Sequence, residues 1–265
     1  MYGQEPGQQT GQYNLPGKSS MTEAEAAFYM SIPNLLFGNF AKGTDTLSQF
    51  RQLAIPCRPF KRVVWSIVDS GSTDYHKRDL VLQLASETPN ITGVIMDDFF
   101  ARGFGQPGYL ETPKDKIGVL SVEELQELQR RLKTGKNVDL WVVIYDHDLD
   151  RQVQDHLRLC DVVTLWTWRA ADLRQLPSTL AKLEKLAPKA RKMLGCFMYD
   201  FGDKKLMPIS EMKFQCELAL DWIRQGRIAG MILDESSICD LGLDAVEWTR
   251  EWIRQVGDHK LTAKS

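Results

Sequence analysis

Several signatures are missing from this chain of 265 residues. The five cysteines, Cys57, Cys160, Cys196, Cys216 and Cys239, are scattered and odd in number, with no C-x-x-C pair. That excludes a disulfide framework and a cysteine-type zinc site, and leaves buried thiols serving as small apolar residues. There are four histidines and no H-x-H or H-E-x-x-H, so a histidine-based metal centre is not expected. Neither G-x-G-x-x-G nor G-x-x-x-x-G-K-[ST] occurs, which argues against a dinucleotide or P-loop fold, and no cofactor is expected. No apolar run reaches the ~18 residues of a membrane span. The formal charge is only -2, and no aromatic-basic stripe occurs, so neither nucleic acid nor an anionic membrane is an expected partner. The opening Met1-Tyr2-Gly3-Gln4-Glu5-Pro6 lacks the basic and apolar regions of a signal peptide, which favours a cytoplasmic location.

What is present is a series of short apolar runs that end in acidic or aromatic residues. Candidate strands are Asn34 to Phe40, Arg62 to Val68, Thr92 to Phe99, Leu140 to Tyr145, Val162 to Trp168, Lys192 to Asp200 and Ile228 to Asp234. Short apolar runs of this kind suit strands buried on both faces. Helical patterns alternate with them. Ser20 with Glu23, and Ser121 with Glu124, read as capping boxes, and Leu125, Leu128 and Leu132 share a helix face. Gly135 is placed to stop that helix and Pro177 to open the next. Cys216, Ala219, Leu220 and Ile223 form another apolar stripe, as do Ala245, Trp248 and Trp252.

Alternation at this spacing predicts an α/β fold, a (β/α)8 TIM-type barrel. Only seven strands are evident, and a helix precedes the first of them. The barrel is therefore expected either to lack its first strand or to hide a poor one within Gly11 to Leu15. Residues 1–20, rich in Gly, Gln, Pro and Ser, read as a flexible segment, 21–257 as the barrel and 258–265 as a tail. The stretch Ala101 to Leu120 is a long loop of the kind that often binds or covers ligands.

In a parallel barrel all strand ends share one face, which would here carry carboxylates among aromatic rings. Glycoside cleavage needs two such carboxyl groups. The favoured pair is Asp98 and Asp200, with Asp97 and Glu235 as further catalytic candidates. Neighbouring strand residues point to opposite faces, so Asp97 and Asp98 should not both face the pocket unless the strand has ended. Trp65, Phe99, Tyr145, His147, Trp166, Trp168 and Tyr199 are candidate substrate contacts, the tryptophans serving equally well as packing. The alternatives are a barrel that binds a glycan without cleaving it, and a lyase or isomerase using Asp97, Asp98, Asp146, His147 and Asp200 around a divalent ion.

The strings Ile91-Thr92-Gly93-Val94-Ile95-Met96-Asp97-Asp98-Phe99-Phe100, Leu140 to Tyr145, Asp161 to Trp168, and Cys239 to Leu243 with Glu247-Trp248-Thr249-Arg250 resemble a group of bacterial barrel proteins described as glycoside-hydrolase-like. The resemblance covers roughly 33–256. It implies a TIM-type barrel and a carbohydrate substrate, and brings no established catalytic pair. Met198-Tyr199-Asp200 is similar to the M-x-Y-D segment of chitinase-type barrels, one residue shorter, while the Asp97-Asp98 strand lacks the glutamate of their D-x-x-D-x-D-x-E run. Barrels that cleave α-linked sugars often carry an aspartate nucleophile at the end of their fourth strand, a position Asp98 would match if one strand precedes Asn34.

Overall fold

The computed structural model describes residues 1–38, 43, 45–69, 72–100 and 117–257. Eight parallel strands close into a barrel: β1 (Tyr2–Gly3), β2 (Asn34–Phe37), β3 (Arg62–Val68), β4 (Ile91–Met96), β5 (Asp139–Tyr145), β6 (Val162–Trp166), β7 (Arg191–Phe197) and β8 (Gly230–Asp234). β1 lies between β8 and β2, and the others follow in chain order. Helices α1 (Glu23–Tyr29), α2 (Leu47–Leu53), α3 (Tyr75–Glu87), α4 (Val122–Lys133), α5 (Gln154–Leu157), α6 (Leu176–Leu186), α7 (Ile209–Arg224) and α8 (Asp244–Val256) alternate with the strands. A short antiparallel hairpin, Tyr199–Asp200 with Lys205–Leu206, stands on the end of β7.

The (β/α)8 expectation holds, with two corrections at the N-terminus. The first strand is neither missing nor hidden within Gly11 to Leu15. It is Tyr2–Gly3, inside the segment expected to be flexible. Tyr2 pairs with Leu36 on one side and Asp234 on the other. Two residues close the barrel because both edges are paired, to β8 at Asp234 and to β2, where the Leu36 amide donates to the Met1 carbonyl (2.8 Å) and the Gly38 amide to the Gly3 carbonyl (2.8 Å). Gly3 is required by close approach, since a Cβ there would lie 2.7 Å from Glu23 Cβ on α1. The cap of the first helix lies two residues later than expected. It is Thr22, boxed with Glu25 rather than Ser20 with Glu23.

In α4 and α6 the local signals act as read, whereas of the stripe expected on α7 Cys216 and Ala219 are buried and Leu220 and Ile223 only partly so, with Trp222 buried between them. Ser121 caps α4 with Glu124 reciprocating, Leu125, Leu128 and Leu132 are its buried stripe, and Pro177 sits in the first turn of α6. Acidic Glu123 and Glu124 at the start of α4, and Arg130, Arg131 and Lys133 at its end, both favour the helix dipole. All five cysteines are buried and unbonded. Among the described residues no helix is long and apolar enough to cross a membrane. Most of the loop Ala101 to Leu120, and the tail with His259, lie outside the described residues.

Candidate active site

β4 ends at Met96, so the alternation rule no longer separates Asp97 from Asp98. Asp97 continues the ladder by donating its amide to the Val68 carbonyl (3.0 Å). Asp98 then turns into the left-handed region at φ 46°, which costs an aspartate less than most residues. The Asp98 amide donates to Asp97 Oδ1 (2.9 Å), across that turn. Two tyrosines complete the arrangement. Tyr2 donates its hydroxyl to Asp97 Oδ2 (2.6 Å), and Tyr145 donates its hydroxyl to Asp98 Oδ1 (2.9 Å). Asp98 and Asp97 remain partly exposed, whereas Tyr2 is buried across the lumen, edge-on to Trp166 with ring centroids 6.0 Å apart.

A second acidic pair, Asp234-Glu235, closes β8. In a closed ring of eight, β4 and β8 are diametrically opposed, so the two pairs follow strand ends on opposite sides of the ring. Burial raises the Asp97 carboxyl well above the usual range, and the charges of Asp98 and Asp69 push it further, while the Tyr2 hydrogen bond opposes them. Asp234 is raised well above its ordinary value by burial, then by Glu235 and by Asp97. Glu235 is only 2% exposed. It accepts from Ser237 Oγ at Oε1 and from Gln9 Nε2 at Oε2 (3.2 Å). Burial pushes it up to about 7, against the pull of those two hydrogen bonds.

This shift has a consequence for stability. Glu235 ionises near 4.5 when unfolded and about 7 when folded. Between those values the native state holds the extra proton, so stability falls as pH rises through this window and stays lower above it. Asp97 and Asp234 act in the same sense. Glu235→Gln should therefore flatten the decline in melting temperature between about pH 4.5 and 7, and recover on the order of 1–3 kcal/mol at pH 8. Thermal melts across that range check it, and parallel profiles for the two proteins would refute it.

An aromatic wall adjoins Asp98. Trp168, partly exposed, stands edge-on to Tyr145 (5.9 Å) and Phe197 (5.6 Å) and stacks on Phe201 (6.1 Å). The exposed His147 ring stacks on Tyr145, 5.4 Å away and 7° from parallel. The N-terminal segment adds Tyr13, which packs on Phe201 (5.0 Å) and Trp168 (6.3 Å).

Other candidates are placed elsewhere. Asp200 is fully buried in the hairpin, not held on the end of β7. Its Oδ1 accepts the Asp203 amide (3.1 Å) and its Oδ2 faces Lys205 Nζ at 3.7 Å, so it shapes the turn at Gly202. Tyr199 is buried, and its hydroxyl donates to the Tyr13 carbonyl (2.7 Å). Trp65 faces the helix layer, against Phe37 of β2 and Phe50 of α2. Phe99 is fully buried against Phe100 and His156. Trp166 fills the lumen, donating Nε1 to Thr164 Oγ1 (2.9 Å). Among the described residues no three His, Cys, Asp or Glu side chains are grouped to hold a metal ion.

Sequence reasoning missed Tyr2 and Gln9, which lie in a segment with no periodicity. Asp234 was visible only as the neighbour of Glu235.

No family model matches this chain, and no curated protein matches it. Among solved structures it is similar to a protein assigned as an α-L-fucosidase from Bacteroides thetaiotaomicron, with a TM-score of 0.54, 9% identity, and coverage of 88% of this chain and 84% of that one. It is likewise similar to the α-L-arabinofuranosidase from Thermotoga maritima, with a TM-score of 0.53, 14% identity, and coverage of 88% and 63%. A tryptophan synthase α-subunit from Pyrococcus furiosus also matches, with a TM-score of 0.47, 12% identity, and coverage of 89% and 91%. At such identities the first two likenesses establish the TIM-barrel fold and leave the chemistry to the site itself.

Proposed function

We propose that this barrel hydrolyses a glycosidic bond with Asp98 and Glu235, rather than Asp98 and Asp200, as its carboxyl pair. The observation that carries the reading is the opposition of two acidic strand ends, one oriented by Tyr145 beside exposed aromatic rings and the other protonated up to about pH 7. Two carboxyl groups in different environments are the arrangement that lets one act as acid and the other as base or nucleophile. Glu235 gives its proton to the leaving oxygen as the C–O bond breaks. Asp98, after the fourth strand, meets the positive charge that develops at the anomeric carbon; water then adds to that carbon, and the proton it gives up restores the enzyme's acid. Gln9 donates to Glu235 Oε2, and this reading requires that contact to open for a leaving group to reach that oxygen. Trp168 and His147, the partly exposed and exposed rings here, offer faces to the sugar ring, with Tyr145 behind His147. The fucosidase and arabinofuranosidase barrels named above have glycosides as their substrates, which is consistent with this reading.

A panel of 4-nitrophenyl glycosides, assayed from pH 4 to 8, tests it. Release of nitrophenol that declines as pH rises past about 7 supports Glu235 as the acid. Calorimetric binding of a glycan with no turnover of any panel member would replace this reading with that of a binding barrel.

Asp200 supplies a contrast. Asp200→Asn keeps an oxygen for the Asp203 amide and loses the attraction of Lys205. Because Asp200 Oδ2 is buried with no hydrogen-bond partner among the described residues, and the amide replacing it would have none either, we expect a stability loss of about 1–3 kcal/mol and turnover within about threefold of wild type. A loss like that of an Asp98 variant, measured on the same glycoside, would restore Asp200 to the catalytic pair.

A further inference from the structure

We propose that Tyr2 is a positioning residue for the reacting carboxylate. Its hydroxyl fixes Asp97, and Asp97 in turn holds the amide of Asp98 at the turn that aims the Asp98 side chain. The chain of hydrogen bonds is continuous: Tyr2 hydroxyl to Asp97 Oδ2 at 2.6 Å, then Asp98 amide to Asp97 Oδ1 at 2.9 Å, then Tyr145 hydroxyl to Asp98 Oδ1 at 2.9 Å. Asp98 is thus held from both ends, through its backbone by Asp97 and through its carboxylate by Tyr145. The left-handed backbone at Asp98 needs such support, because only local hydrogen bonding offsets its cost in a residue with a Cβ. Asp97 in turn needs a donor. Asp98, Asp69 and Asp234 all bring negative charge toward it, and the Tyr2 hydroxyl favours its carboxylate from across the lumen.

The placement also accounts for the first strand. Two residues form little sheet, yet they put one aromatic ring at the centre of the barrel with its hydroxyl at the mouth. The ring is 3% exposed and pinned between Trp166 and Gly38, where any Cβ would lie 2.6 Å from the Tyr2 ring. Tyr2 therefore has no freedom to leave Asp97.

The role in turnover rests on the proposed reading of Asp98. The positioning itself does not, and the test separates the two. Tyr2→Phe keeps the ring in the lumen and removes only the donor. In carboxyl-labelled protein, 13C NMR should show the Asp97 resonance titrating at higher pH than in wild type, and the Asp98 carboxyl resonance displaced. On the panel glycoside with measurable turnover, kcat should fall roughly 10- to 100-fold with KM within about twofold, as expected when a reacting group is misplaced while substrate binding stays intact. Asp97→Asn should give a similar loss, and the double variant little more than either alone. A purely structural hydroxyl would lower the melting temperature while leaving the Asp98 resonance and kcat unchanged, and that result overturns the proposal. If no glycoside is turned over, unmoved Asp97 and Asp98 resonances overturn the positioning, whereas moved ones support it and place the failure in the glycosidase reading.

Discussion

Asp98→Asn should lower hydrolysis of the identified glycoside by about 10³-fold or more while leaving the barrel at least as stable as before. The two halves of this expectation have separate causes. Asparagine keeps the oxygen that accepts from the Tyr145 hydroxyl and tolerates the left-handed backbone at this position. What is lost is the negative charge, which the proposed glycosidase reaction needs opposite a developing cation at the anomeric carbon. In the resting protein the same charge is a burden, since it helps to push Asp97 upward. Removing it should bring Asp97 back toward ordinary carboxylate behaviour and add up to about 1 kcal/mol of stability, the usual sign of a group kept for chemistry rather than for folding. Initial rates and urea melts on the same preparation decide the matter. Turnover within tenfold of wild type would remove Asp98 from the reaction, and a collapse in stability would make the lost activity uninformative.

How far the sequence disclosed this arrangement depended on the physical signal each residue leaves. Strands β2 to β8 are legible because burial on both faces demands unbroken apolar runs, and their acidic ends stand out against those runs. Ser121 with Glu124 is legible because a capping box is a local contract between two side chains. Tyr2–Gly3 leaves no such trace. Its stability comes from the edges of β2 and β8, both remote in sequence, and a run of two residues has no period. Asp200 misleads for the opposite reason. Its Tyr-Asp-Phe-Gly setting imitates a strand end, but β7 stops at Phe197 and the hairpin carries Asp200 into a buried turn. Trp65 and Phe99 are apolar residues on or beside doubly buried strands, where alternation carries no information about which side is the lumen. Only Phe50 for Trp65, and His156 for Phe99, show that each faces away from the mouth. Glu235 was visible as an acid; its burial under Gln9 was not, because Gln9 lies in the segment without pattern.

The lumen beneath the site is predicted to be as demanding as the site itself, and Gly195 is where this should be felt most. A Cβ at Gly195 on β7 would lie 2.0 Å from Trp166 Cδ2, 2.2 Å from Cε3 and 2.3 Å from Cε2. The indole has nowhere to yield. Its Nε1 donates to Thr164 Oγ1, its face meets Phe197 at 4.8 Å, and the Tyr2 ring stands edge-on at 6.0 Å. Overpacking usually costs about 1–3 kcal/mol and more where neighbours are fixed, so Gly195→Ala should destabilise by about 3 kcal/mol or more. In a chain of this size that lowers the melting temperature by roughly 6–12 °C. Part of the displacement passes to Tyr2, so activity in the surviving folded fraction should drop as well. The partner substitution identifies the cause. Trp166→Phe alone gives up volume and the Thr164 hydrogen bond and should destabilise by about 1–3 kcal/mol. Combined with Gly195→Ala it should cost less than the sum, because the smaller ring leaves room for the new methyl group. Urea unfolding of the two single variants and the double measures that coupling. A Gly195→Ala protein within about 1 kcal/mol of wild type, or strict additivity with Trp166→Phe, would mean that the indole is free to move, and the support it gives to Tyr2 and the acidic mouth would have to come from elsewhere.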